Sequence, residues 1–195
     1  MQYAHAQVFT IGHSTRSIKD FIALLHQNGI EAVVDVRTFP RSRTNPQFDE
    51  KSLAKSLKRA NIMYGHAPEL GGLRKASKNS INNGWQKASF RGFADYMQTT
   101  AFRKAINLLI HVAHKKRVAL MCAESVPWRC HRSLIADALV VRGVDVIHTI
   151  SPTSFFEHHL TSFVSRRGIA LTYPGPQTAH LSNSGSKLAQ ISTLI

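Results

Sequence analysis

Two cysteines in 195 residues, Cys122 and Cys130, cannot build the disulfide framework of a small secreted scaffold. No apolar run approaches the roughly 20 residues that a membrane-spanning helix requires. The first residues lack the charged-then-apolar pattern of a secretory leader. These absences point to a soluble, cytoplasmic protein with no membrane partner. Aromatic residues make up 8% of the chain, too thinly spread through its basic part for a platform that stacks single-stranded bases. There is no internal repeat, and no second set of elements that would need a second domain. Acidic residues are scarce: 11 Asp and Glu face 25 Lys and Arg, giving a net charge of +14 and a pI near 10.4. The excess is uneven, with twelve basic residues and three acidic ones between Arg37 and Arg91. Such a field attracts polyanions or phosphorylated small molecules; the plain alternative is a basic surface with no particular partner.

The apolar pattern alternates between strand-like and helix-like periods. Val8 to Ile11 reads as a first strand closed by Gly12. Ser17 is a helix N-cap with Asp20 three residues on, and Ile18, Phe21, Ile22 and Leu25 follow at helical spacing, with Gly29 as the stop. Ala32 to Val36 is a second strand, apolar almost throughout, as when helices cover both faces. A helix begins near Asp49, a third strand covers Ile62–Tyr64, and residues 67–89 form a long polar loop. Helices follow near Phe93–Met97 and over Ala101–His114. Arg117–Cys122 is a fourth strand, His131–Arg142 a helix ended by Gly143, and Val144–His148 a fifth strand. Phe155–His159 and Ile169–Tyr173 are weaker elements. This order predicts a single α/β domain over residues 1–173, with a mainly parallel sheet of about five strands flanked by helices. Residues 174–195, rich in Ser, Gly, Asn and Gln, read as a flexible C-terminal tail.

In an open parallel sheet, ligands bind beyond the carboxyl ends of the strands. Four such ends carry chemistry-bearing residues. Gly12-His13-Ser14-Thr15 is a glycine turn entering a helix, where free amides and hydroxyls suit a phosphate or simply cap the helix. Asp35-Val36-Arg37 places an acid and a base on one face, as a loop ion pair or as an acid–base group beside an anion clamp. Tyr64 and His66 close the third strand. The fourth delivers Met121-Cys122-Ala123-Glu124-Ser125-Val126-Pro127-Trp128-Arg129-Cys130-His131-Arg132, with two thiols, a carboxylate, two guanidiniums and an imidazole in one loop. Cys122 is either a packed thiol or a nucleophile whose pKa Arg129, Arg132 and the next helix N-terminus lower. With six residues between Cys122 and Arg129, the loop is in layout a loose relative of the cysteine-to-arginine anion cradles of rhodaneses and tyrosine phosphatases, and its spacing differs from that of the phosphatases. Cys122, Cys130 and His131, with His13 or His66, are also metal-type ligands. Their C-x7-C-H spacing lacks the C-x2-C knuckle of zinc sites, and neither a metal nor a cofactor is expected. Gly71 and Gly72 form a tight turn that either admits a ligand or serves packing.

Gly12-His13-Ser14, Asp35-Val36-Arg37 with Pro40 and Ser42, Leu70-Gly71-Gly72, and Cys122-Ala123-Glu124 with Pro127 and Cys130-His131-Arg132 stand together in that order. They resemble the family defined by domain of unknown function 488, over roughly residues 7–150. The resemblance implies a small cytoplasmic α/β domain whose motif residues form one pocket, and implies no reaction. The expected protein is an enzyme, a transferase or hydrolase, whose ligand is an anionic small molecule or nucleic acid. Cys122, Asp35, Glu124 and His131 are its candidate catalytic groups. His13, Ser14, Arg37, Gly71, Gly72, Arg129 and Arg132 are its candidate ligand-binding groups. The alternatives are a non-catalytic nucleic-acid-binding module, and cysteine-dependent thiol or sulfur-transfer chemistry. Nothing in the sequence sets an oligomeric state.

Overall fold

The computed structural model describes residues 6–175. Its central sheet has six strands in the order β3-β2-β4-β1-β5-β6. These are β1 (Gln7–Gly12), β2 (Ala32–Asp35), β3 (Met63–His66), β4 (Val118–Cys122), β5 (Asp145–Ser151) and β6 (Ser154–Glu157). The first five are parallel, and β6 returns antiparallel beside β5. Five helices flank the sheet: α1 (Ile18–Gln27), α2 (Glu50–Arg59), α3 (Ala88–Tyr96), α4 (Thr100–Ala113) and α5 (Arg132–Val140). The expected single α/β domain is therefore the fold, with one strand more than the sequence suggested. No helix among the described residues is long and apolar enough to cross a membrane.

Alternation along the central strands explains the three layers. Phe9, Ile11, Val33, Ala119 and Met121 point to one face, where α1 and α2 cover them with Phe21, Leu24, Leu25, Leu53 and Leu57. Val8, Ala32, Val118, Leu120 and Cys122 point to the other, under α3, α4 and α5. Local signals set the helix limits. Ser17 Oγ accepts from the Asp20 amide at 3.0 Å and donates to the Asp20 carboxylate at 2.6 Å. Gly29 takes φ +63° and Gly143 φ +77° at the helix stops, a backbone region where only glycine is free of Cβ strain.

The layering locates the functional edge. β4 leads into α5 on one face, while its two neighbours β1 and β2 lead into α1 and α2 on the other. Chains leaving adjacent strands in opposite directions open a crevice at the strand ends. Gly12 pairs with Cys122 at that point. A Cβ on Gly12 would stand 1.9 Å from the Glu124 carbonyl oxygen, so only glycine lets the β4–α5 loop cross so closely.

Two segments are more firmly held than their sequences suggest. The polar loop before α3 is pinned by Asp95, which accepts from the Ser77 amide, Ser80 Oγ and Asn82 Nδ2. After β6, a small hairpin of β7 (Ser165–Arg167) and β8 (Ala170–Thr172) folds back and buries Leu171 and Tyr173 in the main core. The weak pattern there reflects short elements with exposed outer faces. The flexible tail expected over residues 174–195 falls, from residue 176 onward, outside the described residues.

Candidate functional site

The strand ends do converge, but the pleat divides their side chains into two clusters. On the α1–α2 face, Asp35 is fully buried and fully occupied. Arg37 donates to it through Nε at 2.9 and 3.1 Å, through a terminal nitrogen at 2.6 Å and through its amide at 3.1 Å; Tyr64 donates its hydroxyl at 2.9 Å. Arg37 also donates to the Phe48 carbonyl at 2.8 Å. Burial disfavours its charge, yet the bonds to Asp35 outweigh that and hold it above the ordinary arginine value. Desolvation and the Asp35 charge push the Tyr64 phenol up. A carboxylate with this many donors is a structural anchor, not a base with a free lone pair.

His13 belongs to the same cluster. Its ring stacks on Phe48 at 4.3 Å between centroids. Its Nδ1 lies 2.8 Å from the Ser14 carbonyl, which can only accept, so Nδ1 carries the proton. Nε2 then accepts from Arg37 at 3.4 Å. Burial, with the nearby Arg37 and Arg132 charges, lowers its pKa, so the ring is neutral. The expected anion-binding turn is occupied by the fold itself: the His13 amide bonds the Cys122 carbonyl and the Ser14 amide the Ala123 carbonyl, each at 2.9 Å. Ser14, with φ +48°, turns the chain toward α1. Neither His13 nor Ser14 borders the pocket described below.

On the opposite face stand the two thiols. Cys122 ends β4, Cys130 ends a 3₁₀ turn over Pro127–Arg129, and His131 caps α5. Arg132, the largest fully buried side chain among the described residues, turns inward. It donates to Cys130 Sγ at 3.4 Å, to Thr10 Oγ1 at 3.4 Å, and to the Glu124 and Ser125 carbonyls. This guanidinium thus ties the loop together from beneath and does not reach the pocket. A hydrogen bond from Cys122 holds the Cys130 thiol well below the ordinary cysteine value against the opposing effect of burial, helped by His131 and Arg132. Cys122, the donor of that bond and itself desolvated, is pushed up. Of the two readings of Cys122, this direction is that of the packed thiol: its bond to Cys130 and its burial outweigh the opposing Arg132 charge.

A pocket of about 370 Å³ opens above this sulfur pair. Cys122, Cys130, His131 and Gly72 form its floor, Arg37 and Thr38 one wall, and Phe39, Arg41, Lys87, Glu124 and Arg129 its mouth. A Cβ on Gly72 would lie 2.3 Å from His131 Nδ1, and one on Gly71 2.6 Å from Thr38 Oγ1. Both glycines serve close packing of the loop, and Gly72 alone faces the cavity. Of the residues singled out in the sequence, Cys122, Glu124, His131, Arg37, Gly72 and Arg129 meet there. Asp35, His13, Ser14, Gly71 and Arg132 support it from outside.

A buried polar chain escaped the sequence reading. Arg132 donates to Thr10 Oγ1, which lies 2.7 Å from His148 Nδ1; His148 Nε2 lies 2.9 Å from His158 Nδ1, and His158 Nε2 lies 2.8 Å from Asp137 Oδ1. A cation at one end and a carboxylate at the other orient every bond the same way, which places both imidazole protons on Nε2. Asp137 also accepts from the Thr161 amide and hydroxyl and the Tyr173 hydroxyl. A detectable sign was Asp137 itself, an acid within the otherwise apolar run Leu134–Val140.

Neither a comparison with curated proteins nor one with solved structures finds a match. A family model does match, over residues 17–139, which is narrower at both ends than the resemblance drawn from the motifs. It takes in α1, the Asp35–Arg37 anchor, the Gly71-Gly72 turn and the whole sulfur loop, and leaves out β1, β5 and the closing hairpin. The matched segment spans more than half of the chain, which belongs to the family described as domain of unknown function DUF488.

Proposed function

We propose that this protein is an enzyme that binds a phosphate-bearing or otherwise anionic small ligand in the pocket above Cys122 and Cys130. The observation that carries this reading is the charge at the mouth. Arg41, Lys87 and Arg129 line it with one carboxylate, Glu124. None of the ion pairs among the described residues engages any of these cations. In a cleft with low-dielectric walls, unpaired cations concentrate anions strongly. Phe39, 70% exposed beside Arg41, offers a flat apolar face next to the phosphate-binding charges, which favours a nucleotide among the anionic ligands. The floor supplies an electron-pair donor, Cys130, and Glu124 is the group placed to exchange protons with bulk water. Transfer or hydrolysis of an anionic group is the class of reaction that uses both.

Calorimetric titration with inorganic phosphate and with nucleoside monophosphates tests the reading. Losing one charge-assisted hydrogen bond, worth about 1.5–3 kcal/mol, weakens binding by roughly tenfold or more. Arg41→Ala and Arg129→Ala should each show that loss. Equal affinity in the double variant, or no binding by the wild type, refutes it. A second reading, a non-catalytic nucleic-acid-binding module, draws on α2, whose solvent face presents Lys51, Lys55, Lys58 and Arg59. That module would bind with a steep salt dependence and lose affinity when these four residues are replaced, while Cys130→Ala and Arg129→Ala left it intact.

A further inference from the structure

We infer that Cys122, Cys130 and His131 form a three-ligand site for a zinc-type divalent metal ion, with its fourth coordination position open to the pocket. This deepens the proposed function by naming what the pocket floor presents; it rests on that reading only for what occupies the open position. The ligand atoms of the three residues all lie within 4.8 Å of one another. Thiolates bind zinc at about 2.3 Å and imidazoles at about 2.0 Å, so a tetrahedral ion needs ligand–ligand edges of about 3.6 Å. Cys130 Sγ and His131 Nδ1 already stand 3.7 Å apart, and small side-chain rotations close the remaining edges.

The surroundings are those of a metal-binding imidazole. His131 Nε2 lies 3.1 Å from the Val36 carbonyl. That oxygen only accepts, so Nε2 keeps its proton and Nδ1 turns a lone pair toward the sulfurs. A backbone carbonyl holding the far nitrogen of a histidine ligand is a recurrent outer-sphere device. Gly72 keeps the Nδ1 edge uncovered, since any Cβ there would lie 2.3 Å from it. Arg132 adds a buried donor 3.4 Å from Cys130 Sγ. Among the described ion pairs it has no carboxylate partner, so its charge favours the thiolate form of the sulfurs that a metal ion requires. Three protein ligands bordering a cavity are the donor set of a reactive zinc centre, whereas structural sites close the fourth position with protein. The missing C-x2-C knuckle is no obstacle, because a strand end, a 3₁₀ turn and a helix cap bring the ligands together. Binding converts the thiols to thiolates, releases their protons to solvent, and leaves a dithiolate–metal unit of no net charge beside Arg132.

Cobalt(II) titration of the reduced, chelator-treated full chain tests the site. One equivalent should produce sulfur-to-cobalt charge-transfer absorption and the intense visible bands of tetrahedral cobalt, and zinc(II) should abolish both. Cys122→Ser and Cys130→Ser should each lose charge-transfer intensity, and His131→Gln should shift the visible bands. Should a variant fail to fold, mass spectrometry of the wild type decides: zinc(II), but not magnesium(II), should protect both cysteines from iodoacetamide. Absence of the charge-transfer band, its survival in the double serine variant, or unprotected cysteines overturns the inference. Phosphate titration of the metal-free chain separates the two proposals. Cobalt absorption without phosphate binding sinks the anion pocket alone, and phosphate binding without cobalt absorption sinks the metal site alone.

Discussion

Lowering the pH should unfold this protein through His148, and the size of the effect follows from the buried chain that holds it. Burial comes first among the causes that lower its pKa to about 3, with the His158 and Arg132 charges adding to it. In the unfolded chain a histidine titrates near 6.5. The unfolded state therefore binds more protons between those values, and stability falls as pH drops from about 6.5 toward 3. At pH 5 the unfolded imidazole is almost fully protonated and the folded one almost fully neutral. The difference is about 1.5 pH units at about 1.4 kcal/mol each, or about 2 kcal/mol. Set against a total stability of roughly 5–15 kcal/mol, that is a sizeable loss over a mild change. His13, whose pKa is also lowered, contributes with the same sign. Urea unfolding at pH 7.5, 6 and 5 measures the slope. His148→Gln, which cannot titrate, should flatten it by up to about 1.4 kcal/mol per pH unit below pH 6, whatever its own baseline cost. An unchanged slope in the variant would refute the argument that His148 is buried neutral.

Gly12→Ala should destabilise the fold by about 1–3 kcal/mol or more, read as a lower thermal midpoint, because the Glu124 carbonyl stands where the new Cβ must go; an unshifted midpoint would show that the loop is not so tightly crossed. Asp137→Asn should cost about 3–5 kcal/mol by breaking a buried charged network. Hydrogen exchange in that variant should accelerate first over residues 154–173, which Asp137 ties to the core through Thr161, His158 and Tyr173. Uniform acceleration over the whole chain would contradict that assignment.

Elements governed by local chemistry were readable in advance. The Ser17 cap, the Gly29 and Gly143 stops and the alternation of buried strands with amphipathic helices each depend on neighbours along the chain, and each stands as expected. The strand after Gly143 runs past the expected His148 to Ser151, because Thr149 pairs with Ile11 of β1 and Phe155 of β6, and Ser151 with Ser154. Chemistry at the strand ends was readable in kind but not in arrangement. Asp35 and Arg37 read as an ion pair or as a base and a clamp; the pair forms locally, and the further donor that helps to occupy Asp35 comes from Tyr64, far along the chain. Cys122 read as either a packed thiol or one activated by Arg129 and Arg132, which stand near it in sequence. In space the guanidinium that matters points at Cys130.

By itself, the sequence determined the α/β class, the Ser17 start and the Gly29 and Gly143 stops, and the loop that holds the two thiols. Those follow from periodicity and turn chemistry, which act over a few residues; the helix expected near Phe93–Met97 instead begins at Ala88, within the stretch read as loop. The tertiary structure alone decided which thiol the guanidinium of Arg132 touches, that His131 turns Nδ1 toward the sulfurs, and that Arg132 and Asp137 terminate one polar chain through Thr10, His148 and His158. Hydrogen-bond partners and desolvation depend on residues that the chain brings together from distant positions, and no local pattern encodes them.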